Sequence, residues 1–294
     1  MAAWDAAARS GACIPAEWDE EAQAMIRSLY GLPFVNLEPY VDLTALRTID
    51  DEICFGLSQV PVDYTGGSHR SMGIVPASAW RDQSADYGEV IAGMTREEFA
   101  RVVALSDTPR AFDLDRPEDY TFGEERDWPL NRRQMRYLEY RYGVYFPWKV
   151  FYELVPNLRW EERSEADGKA FTAEARALFP RTVAFIEQLP FVHLGRCNIL
   201  GLQSNDHGTV HRDGEDENEV GHFITLCPRG DKRLFLWDED RGAEIPVTGR
   251  AYWFDDRNYH GVAADSWFRY SIRVDGVFTP DFLARLERDL RAAA

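Results

Sequence analysis

No run of about 18 apolar residues occurs in the 294-residue chain, so a membrane-spanning helix is excluded. Cysteine is scarce. Cys13, Cys54, Cys197 and Cys227 lie far apart and form no C-x-x-C pair, which argues against a zinc ribbon or a disulfide framework. The start, Met1-Ala-Ala-Trp-Asp, offers neither a basic n-region nor an apolar h-region, so no secretory signal is expected. Unpaired thiols then suit a reducing, cytoplasmic setting. Basic residues are outnumbered, 33 Lys and Arg against 50 Asp and Glu, for a formal net charge of −17. That deficit opposes non-specific nucleic-acid binding, which needs cations to neutralise phosphates. It serves solubility first and attraction of a cationic substrate second. Repeats, low-complexity tracts and Gly/Ser linkers are also missing, so no domain boundary is marked.

What is present is an aromatic-rich globular composition: 45% apolar, 28% charged, with nine Trp, thirteen Tyr and seventeen Phe. A chain of this length buries roughly 75% of its unfolded surface without disulfide support. The expectation is one domain over 1–294, with a mixed helical and extended part at 1–190, a β core at 191–278 and a C-terminal helix at 280–294. Residues 16–30 have a helical pattern. Thr95 with Glu98 three residues on is a capping box, predicting a helix over Met94–Leu105. Asp63–Pro76 has the composition of a turn entering a strand, while Asn131–Pro156 is ambiguous. Phe171, Ala175, Leu178, Phe179, Thr182, Ile186 and Leu189 recur at helical spacing. Pro180 falls inside that helix and predicts a kink or a break there, since an interior proline costs about 3 kcal/mol.

From residue 191 the pattern becomes short extended runs separated by turns: Phe191–Ser204, His222–Cys227, Arg233–Trp237, Arg250–Phe254 and Phe268–Phe278, then a helix over Pro280–Leu290. Regular short strands indicate a sandwich or barrel. The fold class is therefore α+β with a mostly β core flanked by helices, and a double-stranded β-helix (jelly roll, cupin-like) is the expected form, as the resemblance described below implies. In the last strand Tyr270, Ile272, Val274 and Phe278 alternate with Arg269, Ser271, Arg273 and Asp275, so one face is apolar and the other basic. An inward basic face calls for an anion.

His211-Arg212-Asp213 stands out within this β-rich segment, with His260 47 residues after Asp213. Two imidazoles and one carboxylate can occupy one face of an octahedral Fe(II) and leave three positions open. In a strand His211 and Asp213 would share a face, about 7 Å apart, and His260 would come from a facing strand. The bland alternative is a chance His-x-Asp serving as a surface pair. His207, in the polar turn Asn205-Asp-His-Gly, is expected to be a loop residue, and His69 and His193 structural or substrate-facing. Glu215-Asp216-Glu217 with Glu219 is expected to be a solvated loop.

The run from Phe254-Asp-Asp-Arg-Asn-Tyr-His260 to Arg269, followed by Val274-Asp-Gly-Val-Phe-Thr-Pro280, resembles the aspartyl/asparaginyl β-hydroxylase-like branch of the Fe(II)/2-oxoglutarate oxygenases. That branch includes bacterial free-proline hydroxylases. The resemblance covers roughly residues 190–280. It implies Fe(II) held by His211, Asp213 and His260, O2 as co-reactant, and 2-oxoglutarate as co-substrate with its far carboxylate on Arg269. Here Arg269 stands one residue closer to the histidine than the pattern has it. His222-Phe-Ile-Thr-Leu-Cys-Pro228 matches the family's second histidine, which places His222, with Ser271, at the 2-oxoglutarate site. Asp213 is present as in the proline hydroxylases, whereas animal members lack this ligand. Val220 stands where the branch has a basic residue, which weakens the case for a peptidyl-aspartate substrate.

The implied activity is hydroxylation of an unactivated C–H in a small amino acid or natural-product precursor, with release of succinate and CO2. A peptidyl Asp/Asn-type hydroxylase is the alternative within the class. Arg273, Arg70 and Trp80 are candidate substrate contacts by elimination. Outside the class stand a cupin-type isomerase or hydrolase using another metal, and a non-catalytic 2-oxoglutarate sensor. A small-molecule or peptide partner is expected, with no nucleic acid and no membrane; the oligomeric state is open.

Overall fold

The computed structural model describes residues 32–60, 62, 75–76, 89–120, 130–146, 149–156, 163–164, 169–213, 221–230 and 232–293. The expected helix at 16–30, the turn at 63–74, His69, Arg70, Trp80 and the acidic run after Asp213 lie outside the described residues.

Two antiparallel sheets form the core. The larger has six strands in the order β1 (Phe34–Asn36), β10 (Ala251–Phe254), β7 (His222–Leu226), β12 (Arg269–Phe278), β5 (Phe191–Leu202) and β4 (Val150–Val155). The smaller has four, β6 (Gly208–His211), β11 (His260–Val262), β8 (Leu234–Asp238) and β9 (Ala243–Pro246). From β5 onward the chain steps back and forth between the sheets. This places sequence-distant strands side by side, and β12 pairs with both β5 and β7. A two-stranded ribbon, β2 (Val75–Pro76) with β3 (Val144–Tyr145), stands apart.

The alternation along β12 decides which face does what. Tyr270, Ile272 and Val274 join one apolar cluster with Ile49, Ile53, Val183, Ile186, Phe282 and Leu286. These come from helices α1 (Leu46–Leu57), α6 (Pro180–Ile186) and α7 (Pro280–Ala293), which cover the outer face of the large sheet. The opposite face, with Arg269, Ser271, Arg273 and Asp275, turns toward the small sheet and is fully buried. An edge-to-edge polar stripe on an otherwise apolar sheet is costly unless every group on it is paired.

The local signals read as expected where they were strong. After the short α2 (Glu89–Ala92), helix α3 (Arg96–Ala104) opens on Thr95, whose hydroxyl accepts from Glu98 N–H while its own N–H donates to the Glu98 carboxylate at 3.0 Å. The ambiguous stretch resolves into helix α4 (Arg132–Tyr142), β3 and β4. An Asn131–Gln134 capping box opens α4, and Gly143 ends it at φ 63, where a side chain would be strained. A second apolar cluster holds Phe99, Val102, Met135, Leu138 and Phe146 together, apart from the first. At Pro180 the helix breaks into α5 (Ala173–Leu178) and α6, with Pro180 in the first turn where no N–H is needed. The Glu52 carboxylate of α1 accepts from Arg181 N at 2.9 Å and Thr182 N at 2.7 Å, capping α6 from a remote segment. Strands β1, β3, β4 and β9 are additions to the expected set; β1, β4 and β9 are edge strands, and β3 pairs with β2. None of the described helices is long and apolar enough to cross a membrane.

Candidate metal centre

His211 ends β6 and His260 begins β11, and the two are direct cross-strand partners, so their side chains leave the sheet on the same face. The imidazole centroids are 4.5 Å apart. Asp213 lies in a bend two residues past β6 rather than in the strand, and that bend brings its Oδ1 to 3.4 Å from His211 Nε2. One ligand atom from each of the three residues lies within 4.8 Å of the other two. All three are buried, which removes the surface-pair alternative.

The hydrogen bonds behind the imidazoles set their tautomers. His211 Nδ1 lies 2.8 Å from Thr209 O and His260 Nδ1 2.9 Å from Asn258 O. A carbonyl only accepts, so each Nδ1 carries the proton and each Nε2 keeps its lone pair for a cation. Burial, with the neighbouring His211, pushes the His260 imidazole down to about 4. Burial also opposes charge on His211, yet its hydrogen bond and Coulombic attraction to Asp213 raise it. The Asp213 carboxyl is held well below the usual range despite burial, through His211, His260 and Arg273. An anionic carboxylate between two Nε2 lone pairs is the donor set a divalent transition metal takes.

Around the triad runs a buried ionic network. Arg273 donates to Asp213 Oδ2 at 3.3 Å, to Asp256 at 2.6 Å and to Asp275 at 3.1 Å, and its guanidinium lies 3.9 Å over the Phe223 ring. Arg163 pairs with Asp256 and donates to the Asp213 carbonyl, while Arg196 donates to Asp275 at 2.9 Å. Three guanidinium groups thus meet three carboxylates. Arg273, expected as a substrate contact, is bonded to three aspartates, which supply the negative charge the basic stripe needs at that point.

Farther along the same face, Arg269 donates to two backbone carbonyls, Lys232 O and Ala263 O, each at 2.5 Å, and its Nε lies 3.6 Å from the Asp265 carboxylate. The buried Lys232 ammonium donates to Ser271 Oγ at 2.9 Å. Burial, with Arg269 and Arg273 nearby, pushes that ammonium down to about 7. His222 is placed elsewhere. In β7 the inner face carries Phe223 and Thr225, so His222 falls on the outer one. There its ring stacks 4.8 Å from Phe278, and its Nδ1 accepts from Phe278 N–H at 3.1 Å. The strand's alternation thus separates it from Ser271. His207 stacks 4.2 Å from Tyr145 and His193 Nε2 bonds Ser164 O at 3.1 Å, neither joining the triad.

Two buried polar side chains flank Arg273. Asn198 and Thr225 are its cross-strand neighbours in β5 and β7. Both ends of the Asn198 amide and the Thr225 hydroxyl lack a hydrogen-bond partner among the described residues. Orphaned polar atoms on the wall beside a metal triad fit a ligand that supplies their bonds. Lys232, Arg163, Arg196, Asp256 and Asn198 were not singled out from the sequence. Asp256 lay in the quoted Phe254-Asp-Asp run, but the others carry no motif.

No protein-family model matches the chain, and no curated protein sequence does. Among solved structures it is similar to a Pseudomonas putida prolyl-4-hydroxylase, at 15% identity and a TM-score of 0.23 over 35% of this chain and 62% of that one. It thus spans less than two thirds of that protein. A Burkholderia pseudomallei protein described as a 2OG-Fe(II) oxygenase family oxidoreductase aligns at 15% identity and a TM-score of 0.28, over 44% and 69% of the two chains. An RmlC-like cupin from Desulfovibrio desulfuricans aligns at 18% identity and a TM-score of 0.21, over 28% and 70%. Likenesses this slight assign neither family nor activity. The site geometry has to carry the function.

Proposed function

We propose that this chain is an Fe(II)- and 2-oxoglutarate-dependent dioxygenase, built on a double-stranded β-helix, that hydroxylates an unactivated C–H of a small amino acid or natural-product precursor. The observation that carries it is the buried His211–Asp213–His260 cluster, with three ligand atoms within 4.8 Å and both imidazoles presenting Nε2. Three protein ligands on one face leave the remaining positions for small molecules. Bound iron would supply O2 activation and insertion of one oxygen atom into the target C–H, coupled to conversion of 2-oxoglutarate to succinate and CO2.

The chain's own residues would do the rest. His211, Asp213 and His260 hold the metal. The far carboxylate of 2-oxoglutarate is assigned to Lys232 and Ser271, with Arg269 fixing the Lys232 carbonyl behind them. A carboxylate arriving at an ammonium depressed to about 7 would restore its charge and gain a charge-assisted hydrogen bond. Asn198 and Thr225 offer neutral hydrogen bonds to whatever lies beside the metal. Phe223 and Phe254, the latter 4.9 Å from the His260 ring, line the wall with apolar surface that keeps water from the reacting centre.

The experiment is direct. Anaerobic protein given Fe(II) and 2-oxoglutarate should develop a weak visible charge-transfer band, and O2 should then yield succinate. A mass-spectrometric screen of free amino acids and short peptides for a gain of one oxygen would name the substrate and separate small-molecule from peptide hydroxylation. Metal binding with neither band nor succinate would shift the assignment to a cupin-type enzyme using another metal.

A further inference from the structure

We infer that Arg273 and Arg163 are positioning residues that fix Asp213 as a one-oxygen metal ligand and set its separation from His260. This rests on the proposal that the triad binds a divalent metal. A carboxylate torsion is broad, so a free Asp213 could turn and present both oxygens, occupying one more coordination position. Here Oδ1 faces His211 Nε2 at 3.4 Å, and Oδ2 is taken by Arg273 Nη1 at 3.3 Å. Arg273 cannot follow a rotation of that group. Its plane lies on Phe223, and its other nitrogens are held by Asp256 and Asp275.

The backbone of Asp213 is fixed as well. Its N–H donates to Asp256 O at 2.7 Å, and its carbonyl accepts from Arg163. Asp256 sits four residues before His260 on the connection from β10 to β11, so the network ties the Asp213 bend to the segment delivering the second histidine. Arg163 comes from outside the sheets. Arg196 N donates to its carbonyl at 2.8 Å. A Cβ on Gly195 would fall 1.9 Å from that carbonyl oxygen, so glycine there permits the approach.

The test uses Co(II) alone on the full-length metal-free protein, followed by calorimetry and by the visible ligand-field spectrum. The wild type should bind, and His211→Ala should not. Arg163→Met should lower Co(II) affinity by about tenfold or more, the range for supporting groups around metal ligands, and should alter the spectrum. Arg163→Lys should recover part of that loss, because it restores the charge beside Asp256 but not the two-pronged contact. Arg273→Lys should change affinity and spectrum further; if it fails to fold, the Arg163 pair decides. A drop in metal-free melting temperature alone, with Co(II) affinity and spectrum unchanged in both Arg163 variants, would overturn the positioning role. Undiminished Co(II) binding by His211→Ala would instead overturn the metal site itself.

Discussion

Replacing Lys232 with Met tests the co-substrate end of the site and separates it from Arg269. The ammonium donates to Ser271 Oγ at 2.9 Å and is buried. A lost charge-assisted hydrogen bond to a carboxylate is worth about 1.5–3 kcal/mol, so 2-oxoglutarate should bind roughly 10- to 150-fold more weakly. The sign for stability is opposite. Lysine in an unfolded chain titrates near 10.4, whereas burial pushes Lys232 down to about 7. Between those values the unfolded chain binds more protons, so this group makes stability rise with pH, and below about 7 its full destabilising effect is present. Lys232→Met should therefore raise the metal-free melting temperature, most clearly below pH 7, while weakening 2-oxoglutarate. In the wild type, 2-oxoglutarate affinity should fall as pH rises above about 7, and the variant should lose that dependence. Arg269→Met should do the reverse. It strands the Lys232 and Ala263 carbonyls, each costing about 1–3 kcal/mol if left unpaired, so the melting temperature falls first. Titration of Mn(II)-loaded protein with 2-oxoglutarate from pH 6.5 to 8.5 reads all of this. Unchanged affinity in Lys232→Met, with a loss of tenfold or more in a normally stable Arg269→Met, would return the carboxylate to Arg269.

Single replacement of His211, Asp213 or His260 by Ala should abolish Fe(II)-dependent succinate formation while leaving the circular dichroism spectrum unchanged; near-wild-type turnover in any of them removes that residue from the site. His222→Ala should leave 2-oxoglutarate affinity alone and lower stability by about 1 kcal/mol, because it loses only the Phe278 N–H acceptor and ring contact; calorimetry showing weaker 2-oxoglutarate binding would contradict the outer-face placement. Glu52→Ala should cost about 1–2 kcal/mol in denaturant unfolding by uncapping α6, and no loss would mean that Pro180 starts that helix unaided.

The sequence determined what depends on short-range pattern. The capping boxes, the break at Pro180 and the two-faced β12 follow from periodicity and backbone chemistry acting over a few residues. The closeness of His211 and Asp213 was legible in the sequence too, but a bend tied to Asp256 and Arg163, not strand parity, sets their geometry. The partnership of His211 with His260 was legible as composition, but its geometry needed β6 and β11 side by side. Tertiary structure decided the rest, because charges find partners through space. Arg273 and Arg269 look equivalent in the alternation of β12, yet one is surrounded by Asp213, Asp256 and Asp275 and the other by two carbonyls and the single carboxylate of Asp265. Lys232 and Arg163 have no sequence signature, since their roles come from a turn and an outlying segment meeting the inner face of the large sheet. His222 fitted a motif, but the parity of its strand, a single-residue matter, turned it away from the site.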